Sequence, residues 1–170
     1  GEDANACNIE NAGLVLLWPF LPRFFSVLGL LLDDKSFSDE PARQRGVAAL
    51  HSVVTGDTDI PEYWLPLNKV LCGFDPDAPF TLDEPLHEQD VREGETMLAA
   101  ALAHAALPEE PTVEAFREAF LLRAGTLSTA DGAWLLRVER RPQDDVLNRL
   151  PWTMEWIKLP WMAAPMRIEW

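Results

Sequence analysis

Apolar residues recur at helical spacing up to about Gly125 and at alternate positions beyond it. Pro and Gly punctuate the first part. Pro19 suits the first turn of a helix ending near Gly29, because Pro is tolerated in a first turn and Gly just past a helix end. Pro41 and Gly56 frame a second helix, with Val47, Leu50, Val53 and Val54 on one face. Pro61 and Gly73 frame a third, carrying Trp64, Leu67, Val70 and Leu71 and expected to kink at Pro66. The stretch from Phe74 to Pro79 reads as a loop.

A fourth helix is expected from Glu88 to Leu107. Val91, Gly94, Leu98, Ala101, Leu102 and Ala105 form one narrow stripe, and Pro108 stops it. Thr112 caps a fifth, with Phe116 and Phe120 a turn apart and Gly125 at its end. The period then becomes two. Trp134, Leu136 and Val138 alternate with Leu135, Arg137 and Glu139 after an Asp131-Gly132 turn. Ile157, Leu159 and Trp161 alternate again, as do Met166, Ile168 and Trp170, with a short helix over Asp144 to Leu150 between. The fold class this predicts is α+β: a mostly helical body followed by a small antiparallel C-terminal sheet.

The run from Leu14 to Leu32 is long enough to suggest a membrane span. Arg23 sits near its centre, at a cost of about 2.5–3.5 kcal/mol in a bilayer, and Pro19 and Pro22 interrupt it. A buried helical pair fits better. The polar start predicts disorder over residues 1–7 and one domain over 8–170, a length that buries a useful core.

Composition sharpens this picture. Hydrophobic residues make up 48% and charged residues 25%, and seven Trp and eight Phe against one Tyr point to an aromatic-rich core. The formal charge of −14 repels phosphates, so neither nucleic acid nor an anionic membrane is an expected partner. Cys7 and Cys72 form no metal spacing with His51, His87 or His104; Cys72 reads as a small buried hydrophobe. No basic segment precedes an apolar one at the start, so no signal peptide is expected in these residues.

Chemistry is sparse. His87-Glu88 opens like a zinc-protease helix, but Val91 stands where the second His belongs. Asp57-x-Asp59 and Asp75-x-Asp77 open like calcium loops without the remaining ligands and read as solvated turns. His51 and His104 fall on apolar helices and read as core or boundary residues. No nucleophile elbow, phosphate loop or Cys-x-x-Cys occurs. Neither a cofactor, a metal nor catalysis is expected, although carboxylate pairing across a cleft is not legible in a sequence.

Nine stretches, in order, carry a resemblance. They are Asn11 to Phe25, Leu28-Gly-Leu30, Val54-Thr-Gly56, Leu67 to Gly73, Phe116 to Gly125, Trp134 to Glu139, Leu150-Pro-Trp152, Ile157 to Met162 and Ile168-Glu-Trp170. Together they resemble the C-terminal region of the tape measure proteins of contractile injection systems, from about Asn8 onward. Ala105 after His104, and Trp18 before Pro19, depart from residues common in the family and argue against His chemistry there.

The resemblance implies a structural protein of a syringe-like particle, made in the cytoplasm and then built into the particle. It implies an excised domain of a longer protein that anchors the length-determining segment to tube, spike or baseplate proteins; self-association stays open. An adaptor or chaperone that docks effector cargo near the tube is the alternative, and a hydrolase fused to the tape measure a third. Trp152, Trp156, Trp161 and Trp170 are the candidate protein-binding residues, because Trp is enriched at binding hot spots. Two readings remain open: at least one of the four faces a partner, or all four are core.

Overall fold

The computed structural model describes residues 6–170. Residues 1–5 of the expected disordered start lie outside the described residues, and Cys7, at its end, lies in a strand instead of a frayed tail. That strand, β1 (Cys7–Ile9), leads into a 3-10 helix over Ala12–Phe20 whose Leu14, Val15, Leu16 and Leu17 are almost wholly buried. Then come α1 (Leu21–Val27) and a hairpin of β2 (Leu31–Leu32) and β3 (Ser36–Phe37). So the first helix is two pieces: Pro19 lies inside the 3-10 turnings and Pro22 in the first turn of α1.

Helix α2 (Glu40–Thr55) matches its predicted frame: the Asp39 side chain accepts from the Ala42 N–H at 2.8 Å, and Gly56 closes it in the left-handed region. The kink expected at Pro66 is a helix start. A 3-10 turn over Glu62–Trp64 precedes α3 (Pro66–Leu71), where Pro occupies the position that needs no N–H. Helix α4 (Glu88–Ala105) buries Gly94, Met97, Leu98, Ala101, Leu102 and Ala105, close to the predicted stripe. After α5 (Val113–Phe116) the turn widens to a π segment, Arg117–Leu121. Its first residue buries a guanidinium that donates to the Val53 carbonyl at 2.8 Å and pairs with Glu95 and Glu114.

The sheet comprises β1, β4 (Gly125–Ala130), β5 (Ala133–Val138), β6 (Trp156–Ile157) and β7 (Met166–Glu169), in the order β1-β4-β5-β7-β6. It is mixed, not antiparallel throughout: β7 runs parallel to β5, with Leu136 beside Ile168. A parallel neighbour needs a long crossover, and the excursion from Glu139 to Pro165, with its 3-10 helix at Pro142–Arg149, supplies one. Gly125 begins a strand where a helix end was expected. Leu159 and Trp161 lie beyond β6 in a turn closed by the Met162 N–H on the Leu159 carbonyl at 3.0 Å, because Pro160 has no N–H for a ladder.

One face of the sheet, with Leu127, Leu136, Met166, Ile168 and Ile157, joins the helices in a single core. The other face presents Thr126, Arg137, Arg167, Glu169 and Trp156 outward. The accessible surface of 8694 Å² agrees with about 8,400 Å² expected for a folded chain of 19.1 kDa. No helix among the described residues is long and apolar enough to cross a membrane.

Candidate docking surface

The chain after β5 folds back across the first 3-10 helix and creates the one large groove that contains candidate tryptophans. It measures about 670 Å³, and its walls are Leu147, Leu150, Trp152, Glu155, Ile168 and Trp170. A buried ion pair secures its floor. Both terminal nitrogens of Arg123 donate to Asp144, at 2.5 and 2.8 Å, and neither side chain is exposed. The Arg141 N–H (2.9 Å) and the Trp170 indole N–H (2.8 Å) donate to the same carboxylate. Burial pushes the Asp144 carboxyl up, but these hydrogen bonds outweigh it and hold its pKa below the ordinary range. The Arg123 guanidinium lies over the Trp170 ring, 5.5 Å from its centre.

The four tryptophans separate by environment. Trp152 donates its N–H to the Leu16 carbonyl at 3.1 Å, stacks on His104 with centroids 5.8 Å apart, and meets Phe20 edge-on. Trp161 lies away from the groove, between Phe25 and Phe37, with its N–H on the Leu71 carbonyl at 2.7 Å. Trp170 is fastened to Asp144 as described. All three are half-buried. Trp156 stands on the edge strand β6 with 54% of its surface exposed and no hydrogen-bond partner for its indole among the described residues. The structure thus brings Trp152 and Trp170 to one groove, sets Trp156 on the adjoining sheet edge, and packs Trp161 against the core away from the groove.

Sequence reasoning missed Arg123, Asp144 and Glu155. The pairing of Arg123 with Asp144 depends on where a crossover lands, which no local pattern encodes; the Arg141-x-x-Asp144 capping spacing was the one legible trace. Elsewhere, Asp57 and Asp75 accept from the N–H two residues on, at 3.1 and 2.8 Å, and so form tight turns. His51 is buried beside Trp64, and its Nδ1 has no partner among the described residues. Burial lowers its pKa, against the opposing influence of a hydrogen bond with the Asp59 backbone and the charges of Asp57 and Asp59.

Compared with known families, residues 1–170, the whole chain, match the contractile injection system tape measure protein. The chain belongs to that family. Neither curated proteins nor solved structures return a match. Membership makes this a tape measure protein region of a contractile injection system, a component that associates with other parts of the particle.

Proposed function

We propose that this chain is the non-enzymatic assembly domain of its tape measure protein, anchoring that protein to tube, spike or baseplate partners through the surface around Trp152, Trp156 and Trp170. The observation that carries the reading is the contrast among those indoles. Two are locked by N–H hydrogen bonds into groove walls, which gives a rigid, preorganised face. The third is exposed on the sheet edge beside them, and Trp is among the residues enriched at binding hot spots.

Assembly takes place in the cytoplasm on this reading, and the domain then travels with the particle. Mass spectrometry of purified particles tests it. The domain is expected to cofractionate with tube and sheath at fixed stoichiometry. Recovery only as a free pool, bound to effector cargo, would instead make it an adaptor.

A further inference from the structure

Strand β6 is one margin of the sheet, and its ladder to β7 sets the direction of every backbone group on it. The Ile168 N–H donates to the Glu155 carbonyl at 2.8 Å, while Trp156 lies opposite Arg167. Antiparallel pairs alternate between hydrogen-bonded and non-bonded. Glu155 and Ile168 form a bonded pair, so Trp156 and Arg167 are the non-bonded one. The N–H and C=O of Trp156 therefore point away from β7, into the space beside the sheet, and among the described residues nothing takes them up. The strand is only two residues long, so it offers a further strand one outward N–H and C=O pair, at Trp156, as the start of a ladder.

The side chains define what that strand carries. A residue paired with Trp156 shares its outer face and lies against the indole. The residues on either side of it turn to the opposite face, toward Glu155 and the groove. Most charges lining the groove are engaged: Arg140 with Asp145 at 2.9 Å, Asp144 with Arg123, and Glu169 with Arg137 at 2.9 Å. Glu155 is exposed and forms no ion pair among the described residues. A cation on an incoming strand would find a partner there, though an exposed pair strengthens binding by about fivefold at most.

The whole chain agrees. Residues 1–130 hold 22 Asp and Glu against eight Lys and Arg, whereas residues 131–170 hold six of each. The acidic body draws a cationic segment in at long range, and the sheet end adds no net repulsion. A second copy of this chain fits poorly: it brings another −14, and because Trp156 and Lys158 share one phase of the ladder, no antiparallel register sets Glu155 opposite Lys158.

The geometry points to β6 as a strand-acceptor edge that binds an extended segment of a partner protein in which Lys or Arg alternates with apolar residues. The identity of the partner rests on the assembly reading above; the mode of binding rests on the edge alone. Two peptide sets test it against the 170-residue chain: overlapping peptides covering the tube, spike and baseplate subunits, and a designed peptide alternating Val and Lys.

A binding peptide is expected to protect the Trp156 amide from hydrogen exchange. W156A, which keeps the N–H, is expected to weaken binding about tenfold, as for a hot-spot side chain. W156P, which removes the outward N–H without touching the bonds to β7, is expected to abolish it, and E155K to weaken it several-fold. Unchanged melting of the free variants establishes that they fold. Absence of Trp156 protection with both sets, or W156P binding as wild type does, overturns the inference. Protection by the designed peptide alone sustains the acceptor edge and removes the assembly reading's claim on it.

Discussion

Asp144 accepts four hydrogen bonds, two from Arg123 and one each from the Arg141 N–H and the Trp170 indole. Removing Arg123 strands a buried carboxylate, so Arg123→Ala is expected to cost about 3–5 kcal/mol in urea unfolding. Replacing both partners by apolar residues, Arg123→Met with Asp144→Leu, removes the stranded charge but orphans the Arg141 N–H, the Trp170 indole and the Glu139 and Ala119 carbonyls, so it is expected to recover only part of that loss. Acid dependence follows from two groups. His51 has a lowered pKa, so its contribution is complete above the unfolded value of about 6.5 and is lost as pH falls below it. Asp144 is also lowered; its contribution is complete above about pH 4 and is lost as pH falls toward its folded value. Stability measured from pH 7 to 5 is expected to decline in the wild type and to decline less in His51→Gln.

At the level of elements, the first 3-10 helix packs so closely on the π segment that a Cβ at Gly13 would lie 1.6 Å from the Phe120 carbonyl oxygen. Gly13→Ala is expected to cost more than about 3 kcal/mol, beyond most single substitutions. Gly132, at φ +78° with open space around it, is expected to lose only about 1–2 kcal/mol on the same change. Strand β7 sits between β5 and β6, so deleting residues 166–170 removes both neighbours' ladders and the Trp170 tether, and is expected to abolish cooperative melting. The helices α2 and α4 were legible in the sequence because their apolar spacing agreed with the Pro and Gly that bound them. Strand β4 was not, since Leu127 is its one large apolar residue and gives no period. The parallel β5–β7 pair was hidden for a different reason: strand direction is decided by a crossover, not by the strands themselves. Among the candidate tryptophans, residue type drew attention to all four, but burial and N–H partners, which distinguish Trp161 from Trp156, arise only from tertiary packing.

For the whole molecule, shape limits function. A ruler must be extended, and a continuous helix of 170 residues would span roughly 255 Å. This chain has its 14 prolines distributed among short elements around one core, and a folded chain of its size has a radius of gyration of about 15–16 Å. On the proposed assembly reading, so compact a fold suits an anchor and not the measuring length. If β6 accepts a strand as proposed, the acidic body and balanced sheet end orient that anchor toward a cationic partner. Electron microscopy of particles made with residues 8–170 deleted from the tape measure protein tests the anchor most directly. Loss of particles, or tubes of uncontrolled length, is the expected result; normal numbers of particles of normal length would contradict it.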